Sequence, residues 1–164
     1  MFLYNWIVYI HVAGALGFVM AHGVSASVAF ALRRERSLER VRALLELSAN
    51  SYGLMYFALL VILVSGVITA FLGGFWSRGW IWASLGLLIA ISAVMGMLGG
   101  RYYGEARKAA GLPYHERGQA FPALPTRSPE AVEACLTKAN PVLLAAIGFG
   151  GLLVIVWLMM FKPF

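Results

Sequence analysis

Four long stretches of this chain carry no formal charge. Residues 1–32, 47–77, 79–100 and 139–161 contain no Lys, Arg, Asp or Glu. Each is at least as long as the ~20 apolar residues that cross ~30 Å of hydrocarbon. In lipid every backbone N–H and C=O must be satisfied within the fold, which leaves only helices or closed barrels. These runs are continuously apolar and lack the two-residue alternation of barrel strands. The expectation is therefore an all-α polytopic membrane protein: one transmembrane domain over residues 1–164, with four helices in a bundle plus short amphipathic helices outside it. The helices are expected at about 4–32, 52–72, 80–100 and 141–161, joined by polar segments 33–51 and 101–140. Composition agrees, since 61% of residues are hydrophobic and 12% charged, against about a half and a quarter in soluble domains. No Lys or Arg precedes the first run, which is too long for a signal-peptide core, so the first helix is expected to stay.

The formal net charge is +6, and Asp is absent. Arg33, Arg34, Arg36, Arg40 and Arg42 follow the first helix. Arg101, Arg107, Lys108, Arg117, Arg127 and Lys138 follow the third, and the opposite side carries only Arg78 and Lys162. The positive-inside rule places both basic loops in the cytoplasm and both termini outside. It also accounts for the charge without nucleic acid as a partner. Residues 37–49 put Leu38, Val41, Leu44, Leu45 and Ser48 on one helical face and mostly Glu39, Arg40, Arg42 and Glu46 on the other. That pattern predicts an amphipathic helix lying at the bilayer interface, its arginines favouring anionic lipid headgroups. Cys135 is the sole cysteine, so no disulfide forms within the chain.

Gly73–Gly74 open a short turn flanked by Phe75, Trp76, Trp80 and Trp82. Aromatics at this depth read as interfacial anchors. Pro113, Gly118, Pro122 and Pro125 predict irregular structure in the long polar loop. Its end is better defined: Ser128 can cap a helix, Pro129 suits its first position, and Glu130 and Glu133 suit its positive end, giving a short helix to about Ala139. Asn140–Pro141 then marks a bend. Small residues recur at spacing four: Ala13, Gly17, Ala21, Ser25 and Ala29; Gly66, Ala70 and Gly74; Gly96 and Gly100; Ala146 and Gly150. They predict close helix contacts, within one chain or across a homodimer or larger complex.

His11 and His22 lie inside the first apolar run. Eleven residues make about three turns plus 20°, so both point the same way, roughly 16 Å apart along the axis. Tyr4, His11, Phe18 and Ser25 form one row; Val8, Ala15, His22 and Ala29 form its neighbour. An ionisable residue at membrane depth is a functional candidate, and imidazole ligates both metals and haem. The plainer role is hydrogen bonding between helices, to Ser65, Thr69, Ser84 or a backbone carbonyl. The other helices carry no histidine, so haem b would need a single axial ligand, a partner subunit, or a thioether from Met55, Met95 or Met97. Those methionines also read as packing or lipid-facing residues. Copper(I) suits imidazole and thioether, but Met20 and His22 diverge by about 200° on a helix. Metalloprotease, phosphate-loop and Ser–His–Asp signatures are missing, which leans against an enzyme without deciding it, and no acid lies in any span, which argues against a carboxylate-driven pump. His115, with Glu116 and Arg117, reads as a solvated cluster.

Short segments carry a resemblance. The run His11-Val12-Ala13-Gly14-Ala15, then Ala21-His22-Gly23-Val24-Ser25-Ala26, the exit Arg33-Arg34-Glu35-Arg36, the pair Ser65-Gly66 and the terminal Lys162-Pro163 resemble a group of small CopD-like and HemJ-like bacterial membrane proteins. The resemblance implies a four-helix fold in the bacterial inner membrane and a prominent first-helix histidine, which maps onto His11. Members are linked to copper uptake, and one branch is a haem-associated oxidase. Two expectations follow. One is a redox or metal-handling protein with haem b or copper at His11, with or without His22. The other is a cofactor-free structural or assembly subunit.

Overall fold

A computed structural model describes residues 2–116 and 119–164. The elements in order are α1 (Phe2–Leu32), α2 (Leu38–Leu72), a 3-10 turn (Phe75–Ser77), α3 (Gly79–Ala109), β1 (Tyr114–Glu116), β2 (Gln119–Phe121), α4 (Pro129–Lys138) and α5 (Pro141–Phe161). Four helical segments are long and apolar enough to cross a membrane, the fourth running through α5, and they pack as a bundle. The chain is a small four-span integral membrane protein. It is built as two helix pairs, α1 on α2 and α3 on α5, joined where α1 meets α5 and α2 meets α3 and through a buried cluster that also takes in α4.

The α1–α2 seam is closed by small residues. A Cβ on Gly14 would lie 3.0 Å from Val61, and one on Gly17 would lie 3.7 Å from Ala58. Further along, the Ser25 and Ser51 hydroxyls bond at 2.9 Å. Each step along α1 is matched by a similar step back along α2, so the seam is a regular antiparallel register. The spacing-four stripe is only partly used. Gly96, Gly100 and Gly150 have nothing within 4 Å of where a Cβ would stand, so they do not join helices as expected. Spacing identifies a stripe, but a crossing touches it only where the axes come close. Between α3 and α5 that place is Gly151, under the Ile91 side chain.

The polar segments depart from expectation. Residues 37–49 are not a separate interfacial helix. They are the first turns of α2, which runs 35 residues without a break. No proline interrupts this stretch, so helix propagates through it. Its apolar face meets protein, not lipid: Val41 is 2% exposed and sits in a cluster with Val28, Leu32, Leu45, Ala106, Ala109, Leu112, Val132 and Leu136. Likewise α3 continues past Gly100 to Ala109, so loop 101–140 begins as helix. The bundle's main buried cluster thus lies at its basic end, from the last turn of the first charge-free run outward.

Two arginines of that end work inside the protein. Arg42 donates from Nε to the Ala110 carbonyl at 2.7 Å and from a guanidinium nitrogen to Thr126 Oγ1 at 2.6 Å. Arg107 donates to the Pro113 carbonyl at 2.7 Å and to the Leu45 carbonyl at 3.0 Å. Gly111, between them, takes φ +71, a left-handed value that glycine adopts without steric cost. In the α1–α2 turn, Glu35 accepts from the Arg36 and Ser37 backbone N–H groups at 2.9 Å each. Those bonds hold its carboxyl below the usual carboxylate range.

The short β1–β2 hairpin occupies part of the expected irregular region, pairing Tyr114 with Phe121 and His115 with Ala120. Lys108 anchors it, bonding Glu105 at 2.9 Å and Glu116 at 3.0 Å and lying 4.8 Å from the Tyr114 ring centre. The later junctions form as expected. Ser128 accepts from the Ala131 N–H, Pro129 opens α4, and Asn140 accepts from the Leu143 N–H before α5. At the other end, Trp76 and Trp82 pack at 5.4 Å and the Trp82 indole donates to the Trp76 carbonyl. Lys162 reaches over the Phe75 ring at 4.9 Å.

Arg42→Ala leaves the Ala110 carbonyl and Thr126 hydroxyl without their donor. The expected loss is about 1–3 kcal/mol, read as a lower unfolding midpoint in detergent and faster proteolysis within 111–127. An unchanged midpoint would show that the Arg42 bonds are dispensable.

Candidate functional site

The two intramembrane histidines do not face the same neighbour. His11 is held against α2. Its Nδ1 lies 3.0 Å from the Ile62 carbonyl and 3.1 Å from Ser65 Oγ, and its Cε1 would be 3.1 Å from a Cβ on Gly66. His22 faces α5: a Cβ on Gly148 would overlap its ring, and the Phe149 ring centre is 4.8 Å away. Phe18, one turn back, stacks on it at 6.2 Å. The single-direction expectation is therefore corrected. Residues seven apart on a helix are offset by about 20° around its axis, and a heptad seam follows that drift. Along α1 the α2-facing strip follows that drift from His11 through Gly14 to Ser25. His22 is advanced about 20° the opposite way, which leaves it on the α5 side.

The His11 contacts fix its chemistry. A carbonyl only accepts, so Nδ1 carries the proton. The Ser65 hydroxyl spends its own proton on the Val61 carbonyl, one turn earlier on α2. It therefore receives from Nδ1 as well. In the neutral ring Nε2 is then the atom with a free lone pair. This is the arrangement that orients metal-ligating histidines, with the remote N–H given to a backbone carbonyl. Of the three side chains expected as polar partners, only Ser65 serves. Thr69 Oγ1 and Ser84 Oγ are buried without a hydrogen-bond partner among the described residues.

His22 is different in kind. It is 8% exposed, and its buried Nε2 has no hydrogen-bond partner among the described residues. Its surroundings are a glycine and two phenyl rings, so it fills space between α1 and α5. The two glycines under the imidazoles, Gly66 and Gly148, are what admit them. The small-residue pattern included Gly66 but passed over Gly148. A glycine at mid-span on a facing helix was the available signal.

The methionines are placed apart. Met97 is 66% exposed on the outer face of α3, while Met55 and Met95 are half-buried on α2 and α3. Among the described residues, the hydrogen bonds of the imidazoles go to Ile62 and Ser65 and not to a methionine sulfur. Among the described residues no three His, Cys, Asp or Glu side chains converge as a metal site. His115 is exposed on β1, and Glu116 is engaged by Lys108; Arg117 lies outside the described residues.

Gly148→Ala should destabilise the bundle by about 1–3 kcal/mol through overpacking, while Gly150→Ala, facing open space, should be close to neutral. Adding His22→Ala to Gly148→Ala should recover part of the loss, since the two sites are coupled. Denaturant unfolding in detergent reads all four proteins, and equal midpoints for Gly148→Ala and Gly150→Ala would contradict the packing at His22. No protein-family model, curated protein or solved structure matches this chain.

Proposed function

We propose that this four-span protein handles electrons or metal through His11, with Nε2 as an axial ligand to haem b. The observation that carries this is the Nδ1 clamp by the Ile62 carbonyl and Ser65, which selects the tautomer and orients the ring as a ligand needs. Haem suits a single imidazole better than copper does, because a copper site requires several donors to converge. His11 would hold the haem as its single protein ligand, or a second ligand would come from a second copy or a partner subunit. Bound haem supplies reversible one-electron transfer. The chain's own part is to hold the imidazole, keep Nδ1 protonated and surround the site with hydrocarbon. The CopD-like and HemJ-like resemblance points to the same histidine. The oxidase branch pairs it with a lysine in a later helix, and no charge-free span here contains lysine, so the proposal extends to binding and not to that reaction.

The excess of Lys and Arg at the basic end favours a cytoplasmic position for it, with both termini outside, in a bacterial inner membrane. A second reading has its own support. His22 packs against Phe18, Phe149 and Gly148, which supports reading an intramembrane histidine of this fold as a packing residue. If His11 is also only a packing residue, the protein is a cofactor-free structural or assembly subunit.

Detergent-purified protein should show a Soret band that sharpens on reduction, with about one iron per one or two chains. The band should vanish in His11→Ala and persist in His22→Ala. Wild-type protein containing neither haem nor copper would overturn the haem reading; capture of one defined neighbour by cross-linking in native membranes would then support the assembly reading.

A further inference from the structure

The basic end contains a cavity unconnected with either histidine. It lies between α3 and α4, has a volume of about 550 Å³, and is lined by Arg101, Tyr102, Glu105, Arg127, Cys135 and Lys138. Three cations thus face one carboxylate. Glu105 is already committed, with Lys108 Nζ 2.9 Å from its Oε1. Among the described residues no carboxylate lies within ion-pair distance of Arg101, Arg127 or Lys138. Arg33 and Arg34 are likewise without a carboxylate, but they do not line the cavity. Arg42 and Arg107 are spent on carbonyls, and Arg36 pairs with Glu133 at 3.2 Å.

The three cations are held on different pieces of backbone. Arg101 is on α3, Lys138 ends α4, and the Arg127 N–H donates to the Ala109 carbonyl at 2.9 Å, which ties the segment before α4 to the end of α3. Arg101 directly follows one charge-free run, and Lys138 directly precedes another. The cavity therefore opens at the level where hydrocarbon gives way to headgroups.

We propose that this cavity binds a phosphate group, with Arg101, Arg127 and Lys138 neutralising it and the Tyr102 hydroxyl available as a further donor. Its volume falls in the range of small-molecule sites, roughly 300–1,000 Å³, and far exceeds a bare phosphate, so the phosphate carries an organic substituent. At this depth the fitting source is an anionic phospholipid headgroup; a soluble organic or inorganic phosphate shares the chemistry.

The test is thermal unfolding of the full chain in non-ionic detergent, titrated separately with phosphatidylglycerol, phosphatidylcholine and inorganic phosphate. Phosphatidylglycerol should raise the midpoint saturably, and phosphatidylcholine should not. In Arg101→Gln/Lys138→Gln the half-saturating lipid concentration should rise roughly fivefold per cation removed, with the lipid-free midpoint unchanged because, among the described residues, neither side chain has an ion-pair partner. Arg33→Gln/Arg34→Gln, which removes equal charge elsewhere at the same end, should titrate like wild type. A shift by inorganic phosphate that the pocket variant also loses would support the site and identify a soluble ligand. No shift with any ligand, or equal losses in the two double variants, would overturn it.

Discussion

Hydrocarbon offers no hydrophobic incentive for one apolar helix to leave lipid for another, so association in this chain depends on how closely backbones approach and on what polar groups they share. Both conditions are met best along α1 and α2. Gly14 and Gly17 bring the axes together, and Ser25, Ser51, His11 and Ser65 bond across the seam at either end. The rest of the bundle is arranged around this hairpin. Helix α5 reaches α1 through Gly148, where an imidazole occupies the space a side chain would need. Histidine thus appears twice as a helix-contact residue, once satisfied and once not. That difference is why only His11 carries a ligand proposal.

The basic end obeys another solvent. There the apolar faces of α2, α3 and α4 turn away from water and collapse on one another as in a soluble domain. The Arg42 guanidinium takes the Ala110 carbonyl left over at the end of α3, where orphan acceptors need donors, and Arg107 takes the loop carbonyl of Pro113. Charge at this end therefore divides between groups that close the structure and groups left facing outward. A count of basic residues conflates the two.

The spans were legible because lipid imposes one strong requirement: about twenty uncharged residues in a row. The caps at Ser128 and Asn140 were legible because local hydrogen-bond chemistry specifies them. What escaped was set by contacts distant in sequence. Residues 37–49 look interfacial when only their own pattern is considered, because nothing local announces Ala106, Val132 or Leu136 on the other side. The Ser65 partnership with His11 was among those expected, since few polar groups exist at that depth. The divergence of His11 and His22 was not, because a 20° offset matters only once neighbours are placed on each side of α1.

The unbroken course of α2 has a mechanical consequence. Thirty-five helical residues make a rod about 52 Å long, of which hydrocarbon covers about 30 Å. One stiff body therefore joins the tryptophan-lined turn to the arginine-bolted cap. A bilayer that thins makes such a rod lean. If the pivot is the aromatic end, a further 10° of lean carries the far end sideways by about 9 Å. With no hinge between span and cap, the cap must follow. The thickness of the surrounding bilayer is thereby converted into displacement at the cap.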